Sequence, residues 1–214
     1  MWFGIAGALG AGLLVFGIAA RTRDSASPVT LTLVGAALDA SLGAVTAGAL
    51  SADGGTFEEF RFWVVGGLTG RGVSTAGQVA PFLLVGLLLA AAVARGLDAL
   101  ALGDDVARGL GVRVGFTRVG AGAAAVLLTG AGVAAAGPIA FIGLAVPHLA
   151  RFLVGADQRW VLGVSVLLGP ALLLVADVVG RLVTAGEVSA GIVTALLGAP
   201  LLAVLVQKAR TVTT

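Results

Sequence analysis

A few charged side chains inside long apolar stretches are the first candidates for chemistry in this sequence. Asp39 stands in the middle of one stretch, and Asp177 and Arg181 lie four residues apart in another. An ionisable group at bilayer depth costs roughly 2.5–3.5 kcal/mol on insertion scales, so it needs a partner or water. Asp39 is therefore either a pore-lining or proton-carrying carboxylate or, as we favour, a carboxyl group hydrogen-bonded to neighbouring Ser or Thr. The i,i+4 spacing of Asp177 and Arg181 predicts a local ion pair on one helix face.

The other reactive side chains are too few for catalysis or metal binding. The 214 residues include one His, one Met, no Cys and no Tyr. Iron, copper or haem sites need several converging ligands, and a nucleophile needs a base, so we expect no catalytic, cofactor-binding or metal-binding residues. His148 is interpreted as a packing or hydrogen-bonding residue. Because Lys208 is the only lysine and no G-x-x-x-x-G-K-[ST] loop exists, any ATPase must be another chain.

The amino-acid composition indicates a membrane protein. The chain is 58% hydrophobic and 11% charged, with a mean hydropathy of +1.09, whereas soluble domains are about 25% charged. Its 34 glycines suit closely packed membrane helices. A net charge of +2 gives no basic patch, so nucleic acid is not expected as a partner.

Apolar runs long enough to cross the hydrocarbon core predict an all-α bundle of about seven transmembrane helices. The predicted spans are Trp2–Ala19, Val29–Leu50, Val79–Ala94, Val114–Ala136, Ile139–Val154, Trp160–Val183 and Ser189–Val206.

The basic residues predict the orientation of the spans. Alternating the seven spans collects ten of the thirteen basic residues on one side, which should be cytoplasmic. The ten are Arg21, Arg23, Arg95, Arg108, Arg113, Arg118, Arg151, Arg159, Lys208 and Arg210. We therefore expect an external N-terminus and a cytoplasmic C-terminus.

Two connecting segments are apolar without being long enough to span. Residues 60–68 are either a short external helix packed on the bundle or an interfacial segment with Trp63 at the headgroups. Residues 97–112 mix apolar and charged residues, with Asp104 and Arg108 at i,i+4 spacing and Gly109 and Gly111 ending the helix. This cytoplasmic segment either docks a soluble partner or lies on the membrane.

One motif identifies a family resemblance. Residues 137–151, GPIAFIGLAVPHLAR, resemble the FecCD/BtuC family of ABC-importer permeases, which move iron–siderophore chelates, haem or vitamin B12. Residues 100–112, 154–159, 175–181 and 186–200 are similar to further segments of that family, in the same order. The matching motif residues are Gly137, Pro138, Phe141, Gly143, Pro147, His148, Arg151, Asp177, Gly198 and Pro200.

The resemblance implies partners and roles. Family members work as dimers of two identical or paralogous ten-helix permeases in a bacterial plasma membrane, with two ATPase subunits below and an extracytoplasmic binding protein delivering metal-chelate cargo above. The segment 97–112 is then the coupling helix for the ATPase, through Leu102, Gly103, Asp104, Asp105, Ala107 and Arg108. Arg181 would dock the binding protein, and a cytoplasmic gate would lie at Asp24, Ser25, Ser27 and Pro28.

The sequence also departs from the family pattern. Its seven spans match the last seven of ten helices, so we expect residues 1–214 to form one permease domain lacking about three N-terminal helices. Asp39 replaces a small or neutral residue, Gln158 a His, and Val188-Ser189 a Leu-Pro pair. We expect a ferric-siderophore permease without enzymatic activity. The alternatives are a vitamin B12 or haem permease, a proton-coupled transporter using Asp39, and a non-transporting fragment.

Overall fold

The computed structural model describes residues 2–19, 21, 28–52, 54–183 and 189–211. Within these ranges the chain forms nine helices joined by short connections. The helices are α1 (Trp2–Ala19), α2 (Pro28–Ser51), α3 (Gly54–Val64), α4 (Val73–Leu100), α5 (Asp104–Gly109), α6 (Val114–Ala136), α7 (Ile142–Val154), α8 (Gln158–Val183) and α9 (Ala190–Thr211).

The structure confirms the predicted all-α membrane bundle. Four of the described helices, α2, α4, α6 and α8, are long and apolar enough to cross a membrane by length and composition. Three shorter apolar helices, at Phe3–Ala19, Ile142–Val154 and Ala190–Pro200, lie within the other predicted spans.

Three predicted boundaries were wrong, each because a backbone turn or a polar helix end overrode hydropathy. The third span is a longer helix, since α4 extends the predicted Val79–Ala94 at both ends. The segment predicted as a short external helix corresponds to α3, which ends at Val64, and Gly66 leaves the helical region with a φ of +68°. The span predicted from Ile139 starts only at Ile142 because Phe141 has a φ of +66°.

The centre of the bundle is the contact between α4 and α6, which small residues bring close together. A Cβ at Gly86 would lie 2.8 Å from a Leu128 side-chain carbon, and one at Gly120 would lie 2.7 Å from a Val93 carbon. Glycine at these positions therefore lets the two helices approach, as in other membrane bundles. Around this pair, α1 packs on α6 and α8 packs on α4, α7 and α9.

The helix connections meet at two opposite ends of the bundle. At one end, which we call the charged end (residues 97–113 and 155–158), the Gln158 N–H donates to Asp98 Oδ1 at 2.9 Å. At the other, which we call the glycine end (residues 65–72, 137–141 and 189–191), the Gly67 N–H donates to the Ala136 carbonyl at 2.7 Å. This pairing of connections is the one that alternating spans require.

Candidate functional site

The short helix α5 at the charged end is shaped by local backbone signals. Gly103 precedes it with a φ of +104°, and Gly111 follows it with a φ of +78°. The Gly111 N–H donates to the Arg108 carbonyl at 2.9 Å, and the Val112 N–H donates to the Ala107 carbonyl at 3.0 Å. These two bonds form a Schellman motif, which satisfies the free carbonyls of the last turn. The predicted end of this helix at Gly109 and Gly111 is confirmed.

One face of α5 is fixed to the bundle. Ala107 is fully buried in a small apolar cluster with Ala99 and Val114. The Asp104 carboxylate accepts a hydrogen bond from the Arg118 guanidinium at 2.8 Å, which ties α5 to α6 through a half-buried ion pair. Of the residues predicted to couple to an ATPase, Ala107 is therefore one that anchors α5 to the bundle.

The opposite face of α5 is open. Leu102 and Leu110, which flank α5, are 65% and 64% exposed, and with the exposed Val106 of α5 they form an apolar row spaced four residues apart in the chain. Beside this row, Arg108 pairs with Asp105 at 2.9 Å, and the Asp105 side chain is 99% exposed. We call these five residues the α5 outer face. Exposed apolar side chains beside charged ones are typical of a protein-binding surface.

The structure adds residues at this end that sequence reasoning missed. Arg118 contacts Asp104, 14 residues away in the chain, and Asp98 contacts Gln158, 60 residues away. A local sequence pattern does not predict such distant pairs. Val106 and Leu110 could have been found from the i,i+4 row that begins at Leu102. The predicted Asp104–Arg108 neighbourhood is present, at 3.7 Å, but the closer partner of Asp104 is Arg118.

A second charged feature lies near the far end of α8. The Arg181 guanidinium donates to the Asp177 carboxylate at 2.8 Å, which confirms the predicted local ion pair. The Asp177 side chain is only 14% exposed, whereas that of Arg181 is 48% exposed. The exposed member of the pair is thus the cation.

The glycine end holds a loop between two helix ends. Ser189 Oγ donates to the Gly66 carbonyl, and the Gly191 N–H donates to the same carbonyl at 3.2 Å. A Cβ at Gly191 would overlap the Val65 carbonyl oxygen. Together with the bond from Gly67 to Ala136, these contacts join the residues after α3 to the end of α6 and the start of α9. We call this arrangement the glycine junction.

Several motif residues of the sequence support the glycine end. Gly137 has a φ of +77°, and a Cβ there would lie 2.6 Å from the Trp63 carbonyl oxygen. Pro138 follows directly, and a Cβ at Gly66 would overlap its carbonyl oxygen. Phe141 starts α7 in the left-handed region, and Gly198 of α9 leaves room for its Cβ.

The remaining motif residues lie on α7 and α9. His148 Nδ1 donates to the Leu144 carbonyl one turn earlier at 2.8 Å, in keeping with a hydrogen-bonding role. Gly143 and Arg151 are exposed, at the start and in the last turn of α7. Pro147 and Pro200 lie inside α7 and α9.

Two other predicted sites have different outcomes. Asp24, Ser25 and Ser27 lie outside the described residues, and Pro28 is the first residue of α2. Asp39 is exposed on α2, and the hydrogen bond to Ser or Thr that we favoured is not formed within the described ranges. Since Ser41 and Thr46 donate to carbonyls of their own helix, their hydroxyls are already used.

Across the described residues, no cluster of three or more His, Cys, Asp or Glu side chains could hold a metal ion.

Comparison with known proteins gives a consistent family match. The model of a family described as the FecCD transport family matches residues 1–208. The ferric enterobactin transport system permease protein of Escherichia coli is 43% identical over 203 residues, covering 95% of this chain and 61% of the relative. The iron(3+)-hydroxamate import system permease protein of Bacillus subtilis is 41% identical, covering 94% of this chain and 53% of the relative.

A solved structure agrees with the sequence relatives. An inward-facing conformation of a transporter described as a metal-chelate type ABC transporter has a TM-score of 0.87 and 28% identity. The match covers 95% of this chain and 65% of that one. This chain therefore spans roughly three-fifths of the length of these proteins.

Proposed function

Because the chain belongs to the FecCD transport family, we propose that it is a permease subunit of an ABC importer that carries ferric siderophore chelates across the plasma membrane. The family match over residues 1–208 carries this proposal. The relatives named for ferric enterobactin and ferric hydroxamate support the choice of cargo. ATP hydrolysis belongs to separate ATPase subunits, and a second permease copy or paralogue completes the pathway.

The α5 outer face is the proposed contact with the ATPase subunit. The fixed face of α5 transmits force to α4 and α6 through Ala107 and the Asp104–Arg118 pair. On the α5 outer face, the apolar row can be buried against the ATPase subunit, and the exposed Asp105 and Arg108 can orient that subunit through their charges. In this proposal the charged end is cytoplasmic, in keeping with the basic residues it carries.

The glycine end then faces the extracytoplasmic binding protein. Arg181 is the proposed contact there, because its guanidinium is exposed while Asp177 holds it from beneath. The gate residues Asp24, Ser25, Ser27 and Pro28 remain a prediction from the resemblance.

Uptake of radiolabelled ferric chelates tests the proposed function. Cells deleted for the gene should lose uptake, and the restored gene should recover it only when the partner ATPase is present. Uptake that survives loss of the ATPase would instead favour a proton-coupled transporter.

A single substitution tests the docking role of α5. Leu110→Asp places a charge in the exposed apolar row, so uptake and copurification of the ATPase subunit should both fall by about tenfold or more. Leu110→Met keeps the surface apolar and should leave both unchanged. Equal copurification by the two variants at equal membrane levels would contradict the docking role.

A further inference from the structure

A cavity lies between α2 and α3. Its volume is about 710 Å³, and Leu42, Thr46, Phe57 and Phe60 contribute to its lining. Ligand-binding cavities of proteins typically measure about 300–1,000 Å³ and combine apolar walls with a few polar groups. Among the described helices, α2 packs only on α1 and α3, and α3 packs only on α2, so the cavity lies at the edge of the bundle.

The cavity carries one unmatched charge. Its two charged lining residues are Asp39, in the middle of α2, and Arg61 of α3. Arg61 is neutralised by Glu58, with 2.8 Å between the guanidinium and the carboxylate. Asp39 has neither a hydrogen bond nor an ion pair within the described ranges.

The polar neighbours of Asp39 do not offset its charge. The Thr46 hydroxyl donates to the Leu42 carbonyl at 2.8 Å, and the Ser51 hydroxyl donates to the Gly48 carbonyl at 2.7 Å. Both hydroxyls are therefore satisfied within α2. A carboxylate that is the only charged group of a membrane helix needs water or a cation to offset its desolvation.

We propose that Asp39 makes this cavity select passing chelates by charge, favouring ferric chelates that carry a cationic group over equivalent chelates that carry an anionic group. The selection comes from attraction or repulsion between the carboxylate and the chelate during passage. Because the field of one unmatched charge acts on the whole volume, no fixed hydrogen bond to the cargo is needed. The inference rests on the proposed function, since the cargo must be a chelate.

A series of chelates that differ only in charge tests this selection. The series starts from a ferric chelate that the wild-type transporter imports and attaches a side arm ending in an ammonium, an amide or a carboxylate group. We expect the ratio of ammonium-arm to carboxylate-arm uptake to fall about fivefold in Asp39→Asn relative to the wild type. Asp39→Glu restores the charge and should keep the wild-type ratio.

Matched controls separate the effect of the Asp39 charge from a change in cavity shape and from delivery of the chelate by the binding protein. Thr46→Val changes another cavity-lining side chain without changing charge, so its uptake ratio should match the wild type. Selection by the binding protein is identical in all variants and cancels when variant and wild-type ratios are compared. Immunoblots of the membrane fraction verify that each variant is inserted at an equal level.

Two different failures can be distinguished. Equal uptake ratios in the wild type, Asp39→Asn and Asp39→Glu would overturn the role of Asp39 and leave the importer function standing. Failure of the wild type to import any hydroxamate, catecholate or citrate chelate would overturn the proposed function itself and this inference with it.

Discussion

At the residue scale, the pair formed by Asp177 and Arg181 combines a sheltered anion with an exposed cation. Ion pairs at i,i+4 spacing on helices typically contribute only about 0.3–0.5 kcal/mol to stability, so holding the helix together is a small part of what this pair can do. The arrangement instead keeps the guanidinium in a defined position at the surface of α8.

Substitutions at the two positions separate docking from stability. Arg181→Glu should weaken binding of the extracytoplasmic binding protein by about tenfold, because it reverses the exposed charge. Asp177→Asn breaks the same pair but leaves the cation in place, so binding should change by less than about threefold. The measurement is the affinity of the binding protein for the purified transporter at low and high salt.

Salt provides the second criterion for this pair. Docking through Arg181 predicts that the difference between wild type and Arg181→Glu shrinks as ionic strength rises. If Asp177→Asn and Arg181→Glu weaken binding equally, the pair acts only on the structure of α8.

At the element scale, α5 depends on the left-handed residue that ends it. Gly111 has a φ of +78°, and an L side chain in this region costs roughly 1–2 kcal/mol. Gly111→Ala should therefore loosen α5 and accelerate hydrogen exchange of its amides by about tenfold. Exchange measured by mass spectrometry on the purified transporter reports this locally.

Gly109 provides the matched control for that experiment. It is the last residue of α5, and a Cβ there meets no atom within 4 Å. Gly109→Ala should leave exchange unchanged or slow it, since alanine favours helix. Faster exchange in both variants would mean that the Schellman motif does not control α5.

How much the sequence reveals differs between elements for a physical reason. The observed bounds of α1 and α6 match the predicted Trp2–Ala19 and Val114–Ala136, because the apolar runs end where these helices end, and Gly137 with its φ of +77° closes α6 at the same point. The residues after Val64 were wrongly predicted as helix, because the bond from Gly191 to the Gly66 carbonyl comes from the far end of the chain. The open cavity at Asp39 likewise depends on how α3 lies against α2.

At the scale of the whole molecule, we expect the two ends of the bundle to differ in their accessibility to reagents outside the cell. The chain has no cysteine, so a single introduced cysteine reports its position without interference. Thr69→Cys at the glycine end should react with a membrane-impermeant maleimide in intact cells. Ala156→Cys, which lies at the charged end outside the α5 outer face, should react only after the membrane is permeabilised.

The labelling pattern tests the orientation directly. The reverse pattern would place the charged end outside and would exclude a cytoplasmic ATPase as the partner of the α5 outer face. Labelling at both positions in intact cells would mean that the membranes leak. A cytosolic marker protein that stays unlabelled in the same cells shows that they do not.

The glycine junction also has a consequence for how the chain is made. Gly66 bonds to Ser189, 123 residues later. At a synthesis rate of about 5–20 residues per second, the loop after α3 waits about 6–25 seconds for its final partner. During that interval the Gly66 carbonyl lacks its final partners, so the loop completes its folded arrangement only when the start of α9 arrives. Slower translation of the last two helices should lower the yield of folded transporter more than slower translation of the first two.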